Sequence, residues 1–146
     1  MTAPANPAPF RILLVEDDAV DAAAVRNALK PHGEGIHIDH VTDGGQALSF
    51  LRRQGHHGDA ARPDLILLDL HLPGVGGAEV LDTIKGDPMI AHIPVVVVSS
   101  TKDAEEILDV YDGHANAFIE KNSDFHTFAD AVRTTFRFWS TCALRP

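Results

Sequence analysis

Cysteine is nearly missing from this chain. Cys142 stands alone among 146 residues, so no internal disulfide can form, and neither a zinc-ligand set nor a CxxC redox pair is present. Basic charge is scarce as well: 12 Lys and Arg face 21 Asp and Glu, giving a formal net charge of -9. Without a basic stripe the chain lacks the phosphate-neutralising surface that supplies most nucleic-acid affinity, and it has no attraction for anionic membrane surfaces. Long hydrophobic runs are absent too. The longest apolar stretches are about six residues, against the roughly 20 that a bilayer-spanning helix needs, and no signal-like segment follows Met1. DNA, RNA and membranes are therefore not expected as partners, and a cytoplasmic location is the simplest. Internal repeats are missing, and the 45% hydrophobic and 23% charged residues are ordinary for a single globular domain.

What is present is organised around the run Asp64-Leu65-Ile66-Leu67-Leu68-Asp69. It is bounded by Pro63 and Pro73 and reads as a strand buried on both faces, hence central in a parallel sheet. Asp69 stands at its carboxyl end, the edge where such sheets carry their sites. Before it, residues 1–9 read as a flexible tail, Phe10 to Val15 as a strand ending in Glu16-Asp17-Asp18, and Ala19 to Lys30 as a helix stopped by Pro31 and Gly33. Ile36 to Val41 alternates like an edge strand, and Thr42-Asp43-Gly44-Gly45 opens a helix with Ala47, Leu48 and Leu51 inward.

After Pro73, a glycine-rich turn leads into a helix over Ala78 to Lys85. Val95 to Val98 is a second two-sided strand, ending in Ser99-Ser100-Thr101. The spacing of Ala104, Ile107, Leu108 and Tyr111 predicts an amphipathic helix resting on that stripe. Ala115 to Ile119 reads as a short strand followed by Glu120 and Lys121. A last helix is expected from about Asp124 to Leu144, with Phe125, Phe128, Ala129, Val132, Phe136 and Trp139 as its core stripe. The βα alternation implies an α/β fold, a parallel sheet with helices on both faces, in one domain over 10–146 with an extended C-terminal helix.

Neighbouring strand ends lie side by side in this architecture. Glu16, Asp17 and Asp69 supply three carboxylates there, Ser99 a hydroxyl and Lys121 an ammonium. Close carboxylates repel and call for a cation or a proton, and hard oxygen ligands favour Mg²⁺. A lysine and a hydroxyl opposite a metal-bound carboxylate suit phosphoryl oxygens, with Asp69 as the nucleophile that becomes an acyl phosphate. Taken singly, such residues are more often ordinary: acids after strands cap helices, as Asp18 is placed to do, and lysines sit in solvent. Their joint order carries the functional reading.

Together the runs ILLVEDD, DLILLDLHLPGVGG and PVVVVSS, with Lys121 after a short strand, resemble the receiver domain of bacterial response regulators over about Phe10 to Thr141. The resemblance implies a doubly wound, flavodoxin-like five-stranded sheet in the order 2-1-3-4-5. It implies Asp69 as acceptor of a phosphoryl group from a histidine kinase, in a two-component phosphorelay. Mg²⁺ is then held by Glu16, Asp17, Asp69 and the backbone carbonyl of His71. Ser99 becomes the switch hydroxyl, Lys121 the partner of the phosphoryl group, Phe118 the switch aromatic, and Gly77 the glycine after the active-site loop. Output is expected through the surface of the fourth helix, fifth strand and fifth helix.

Departures from the family pattern are Glu16 for a more frequent aspartate, and Asn122 where a cis proline is common. The Lys121–Asn122 bond is expected trans, because a non-proline cis bond costs about 2.5–4 kcal/mol. His71 and Thr101 occupy the positions that tune access of the hydrolytic water.

The loop over Gln54 to Pro63 and the pair Phe138-Trp139 are similar to regulators paired with phytochrome-type histidine kinases, including bacteriophytochromes. No output domain follows before Pro146, which points to a single-domain regulator. Phe138 lies off the core stripe near Thr134 and Cys142, so a homodimer through this face is expected. A haloacid dehalogenase-type phosphatase would carry a second aspartate where His71 stands, and a nucleotide-binding fold would carry a GxGxxG loop. A receiver-like interaction module that is never phosphorylated predicts the same fold without the chemistry. His56-His57 has no carboxylate or cysteine at ligand spacing and reads as solvated.

Overall fold

The computed structural model describes residues 8–121 and 124–142. Five strands, β1 (Phe10–Val15), β2 (Ile36–Val41), β3 (Leu65–Asp69), β4 (Val95–Ser99) and β5 (Ala117–Glu120), form one sheet in the order β2-β1-β3-β4-β5. All four pairings are parallel. Five helices follow the strands: α1 (Ala19–Leu29), α2 (Gly44–Leu51), α3 (Gly77–Lys85), α4 (Ala104–Asp112) and α5 (Phe125–Arg137). The doubly wound α/β expectation and the strand order hold.

The strands β3 and β4 are buried at every position, as strands covered on both faces must be. Side chains alternate across the sheet and divide the core in two. Leu13, Val15, Ile66, Leu68, Val95 and Val97 meet α2, α3 and α4 on one face. Phe10, Ile12, Leu14, Leu65, Leu67, Val96, Val98 and Ile119 meet α1 and α5 on the other. Aspartates at the strand-end edge start four of the helices. Asp18, Asp43, Asp103 and Asp124 accept backbone N–H groups from the first turns of α1, α2, α4 and α5. The bonds from Thr127 hold the Asp124 carboxyl below the usual range.

Two expected core stripes are corrected. In α4, Val110 is the buried residue, while Leu108 and Tyr111 are 60% and 48% exposed. A short helix with apolar residues on two arcs does not state which arc faces the sheet; Val110 does so here. In α5, Phe125 is 56% exposed, because it is the first helical residue and projects before the stripe of Phe128, Ala129, Val132 and Phe136 reaches the sheet. Trp139 packs partly against that core. The α-helix stops at Arg137, and Phe138–Cys142 continue in wider π turns; the end expected at Leu144 lies outside the described residues. Lys30, placed in the first helix by sequence, belongs instead to a 3₁₀ segment, Lys30–Gly35, that accommodates Pro31. The tail over residues 1–7, Asn122 with the bond that joins it to Lys121, and the side chain of Cys142 lie outside the described residues.

Candidate functional site

Strand register brings the sequence-predicted residues together. Val15 pairs with Leu68 and Val98 with Asp69, so Glu16 follows β1 beside Asp69 and Ser99 lies one step beyond it on β4. Ser99 pairs with Glu120, and the Lys121 amide donates to the Ser99 carbonyl at 2.9 Å. Alternation then sorts the side chains. Asp69 shares the parity of Leu65 and Leu67, on the α1/α5 face, and continuing the alternation one residue puts Glu16 and Lys121 there too. Ser99 shares the parity of Val95 and Val97, and with Phe118 belongs to the α2/α3/α4 face.

The charged group is buried. Glu16, Asp69 and Ser99 are 2%, 6% and 0% exposed, the buried polar residues of this fold among those described. Glu16, Asp17 and Asp69 can each offer one oxygen within 4.8 Å of the others. Lys121 Nζ lies 2.6 Å from Glu16 Oε1, 2.9 Å from Asp21 Oδ2 and 3.5 Å from Asp69 Oδ2. Burial pushes the Glu16 carboxyl up to about 7; the bond and charge of Lys121 pull it back, while neighbouring Asp69 adds to the rise. Burial pulls the Lys121 ammonium down, but its bonds to Glu16 and Asp21 and the charges of Asp69 and Glu16 outweigh that and raise it. One ammonium therefore serves three carboxylates, two of them desolvated. An acidic cluster this short of positive charge fits a hard divalent cation.

Backbone groups fix the Asp69 carboxylate. The His71 amide donates to Asp69 Oδ1 at 3.2 Å, and the Gly77 amide closes the loop onto the Leu70 carbonyl at 2.9 Å. Gly77 is required by contact rather than by φ: a Cβ there would lie 2.3 Å from the Asp69 carbonyl oxygen and 2.6 Å from Leu70 Cα. The His71 ring turns toward α4, its Nε2 3.3 Å from Glu106 Oε2. Ser99 Oγ accepts the Thr101 amide at 3.1 Å. Half-buried Phe118 lines a hollow with Thr101, Lys102, Ile107 and Glu120.

Three neighbours of the site were not foreseen from sequence. Asp21 lies in the first turn of α1 and reads there as a helix-start acid. His40 reads as the polar half of an edge strand, yet its Nε2 lies 2.8 Å from the Glu16 carbonyl. A carbonyl only accepts, so that nitrogen carries the proton. Glu106 reads as solvated. No local signal marks Asp21, because its partner depends on α1 covering the face to which Asp69 points.

Comparison with known proteins agrees with this geometry. The response regulator receiver domain family matches residues 12–133. Response regulator Rcp1 of Synechocystis sp. is 36% identical over 139 residues, covering 95% of this chain and 94% of its own. The phosphorylated cyanobacterial phytochrome response regulator RcpA superposes with a TM-score of 0.90 at 39% identity, over 95% of this chain and 99% of that one. The Mn²⁺-bound form of Rcp1 superposes with a TM-score of 0.88 at 35% identity, over 94% and 99%. No described helix is long and apolar enough to cross a membrane. The chain belongs to the response regulator receiver family, whose members are phospho-acceptor signalling proteins.

Proposed function

We propose that this protein accepts a phosphoryl group on Asp69 from a histidine kinase of the phytochrome type and signals by the repacking that follows. The observation that carries the reading is the buried Asp69 carboxylate at the strand edge, with Glu16 and Asp17 within 4.8 Å and the Lys121 ammonium at 3.5 Å. An Asp69 oxygen attacks the phosphorus of a phosphohistidine. The new P–O bond forms as the P–N bond breaks, and the bond's electron pair returns to the imidazole ring of the kinase.

Glu16, Asp17, Asp69 and the His71 carbonyl would hold Mg²⁺, which when bound supplies positive charge against the carboxylates and the phosphoryl oxygens. The His71 amide orients Asp69, and Lys121 meets the charge gathered on the transferred group. Phosphorylation adds roughly -1.5 to -2 charge at this edge. The Ser99 hydroxyl turns to donate to a phosphoryl oxygen, Phe118 follows into the space released, and the surface of α4, β5 and α5 changes. The switch pair's place on the α4 side of the sheet supports that route. A phytochrome-type kinase is carried over from RcpA, and the protein acts as one cytoplasmic receiver domain over residues 10–146.

Homodimerisation through the C-terminal end, around Phe138, Thr134 and Cys142, belongs to the same proposal. Phe138 is 51% exposed and packs edge-on to Trp139. The wild type is expected to sediment as a dimer and Phe138→Glu as a monomer; equal masses at all concentrations would remove this interface.

The function itself is tested by incubating the protein with Mg²⁺ and a small phosphodonor, then with a phytochrome-type kinase and ATP. Intact mass should rise by one phosphate in the wild type and not in Asp69→Asn. No gain from either donor would favour an interaction module that is never phosphorylated.

A further inference from the structure

The Lys121 ammonium has three protons to give, and two carboxylates take one each. Glu16 Oε1 at 2.6 Å and Asp21 Oδ2 at 2.9 Å are within hydrogen-bonding range, whereas Asp69 Oδ2 at 3.5 Å is beyond it. The residue that should serve the phosphoryl group is thus drawn away from the acceptor. Glu16 belongs to the acidic cluster, so its hold on Lys121 weakens once positive charge enters there. Asp21 does not belong to that cluster. It lies on α1, its amide bonded to the capping Asp18 Oδ1 at 3.0 Å, and its side chain is 41% exposed.

We infer that Asp21 is a positioning residue that tethers Lys121 away from Asp69, so that phosphorylation must take the ammonium from it. This rests on the phospho-acceptor reading of Asp69. Two consequences follow from charge alone. The Asp21 carboxylate competes with the phosphoryl oxygens for Lys121, so the phosphorylated state is less favourable than a site with Asp69, Glu16 and Lys121 would otherwise allow. It also places one more negative charge beside the entry path of an anionic donor. Asparagine at this position keeps the shape and a carbonyl acceptor but loses the charge, so Lys121 is freed toward Asp69.

The test uses the full chain, Mg²⁺ and beryllofluoride, which attaches to a carboxylate as an acyl-phosphate analogue. Asp21→Asn should bind beryllofluoride about fivefold more tightly than wild type, the effect of a partly exposed charge-assisted bond. It should also take phosphate from a small donor faster. Asp21→Glu, which keeps the charge, should stay near wild type. Damage to the fold would weaken binding, whereas loss of the Asp21 charge strengthens it. Equal or weaker beryllofluoride binding by Asp21→Asn, with wild type binding normally, overturns the tether and leaves the acceptor reading intact. If the wild type itself takes up no beryllofluoride, the acceptor reading falls and the tether with it.

Discussion

Replacing Lys121 by methionine is expected to abolish stable phosphorylation and, in EDTA, to lower folding stability by about 3 kcal/mol at pH 8, because removing one partner strands buried charge. The partners left behind are Glu16 and Asp69, 2% and 6% exposed. The loss should shrink toward pH 5. Between its ordinary value of 4.5 and about 7, Glu16 holds more protons in the folded protein than in the unfolded chain. Stability attached to this group is therefore lost as pH rises through that window. Lys121 offsets that loss through its bond and charge. Its own raised value adds stability that is fully present below the ordinary lysine value of 10.5 and is lost as pH rises through the folded value. In the variant Glu16 can escape only by taking a proton, which low pH supplies. Urea unfolding of both proteins at the two pH values measures the difference. A loss that is equal at pH 5 and pH 8 would mean that Lys121 acts by packing rather than by charge.

The second large effect is expected from a single methyl group. Gly77→Ala should cost about 3 kcal/mol, the upper range for overpacking against atoms that cannot swing aside. The atoms in question are backbone: the Asp69 carbonyl oxygen at 2.3 Å and the Leu70 carbonyl oxygen at 2.8 Å from the new Cβ. To relieve them, the peptide that follows Asp69 must move, and the Asp69 carboxylate moves with it. Phosphorylation by a small donor should therefore slow more than tenfold even where the variant is fully folded. Gly76→Ala supplies the control. No atom lies within 4 Å of its Cβ position, and as the start of α3 it should cost less than about 1 kcal/mol. Thermal melts and phosphorylation rates of the two variants side by side decide this. Equal effects would show that helix-start propensity, not crowding at Asp69, is what glycine provides.

Much of this site was legible in the sequence because parallel α/β folds convert linear order into proximity. A strand that is apolar throughout and ends in Asp69, another that ends in Ser99, and the acids after Val15 have to meet at one edge. Gly77 was legible only through family resemblance; its crowding against Asp69 and Leu70 gives the physical reason. What stayed hidden depends on which helix covers which face. Asp21 acquires its partner because α1 lies on the face to which Asp69 and Lys121 point, and nothing local distinguishes it from the capping Asp18 three residues earlier. His40 and Glu106 are similar cases, polar residues whose partners come from another element. The α4 stripe misled for the complementary reason. Leu108 and Tyr111 satisfy a helical spacing, but spacing records amphipathicity and not the direction of the sheet.

The identity of the acceptor carboxylate is the claim on which the rest depends, since Glu16, Asp17 and Asp21 crowd the same edge as Asp69. Borohydride reduces an aspartyl phosphate to homoserine at the residue that carried it. Reduction of the phosphorylated protein followed by peptide sequencing by mass should place homoserine at position 69 and nowhere else. Homoserine at Asp17 or Asp21, or at no residue of a protein that has demonstrably gained phosphate, would contradict the account.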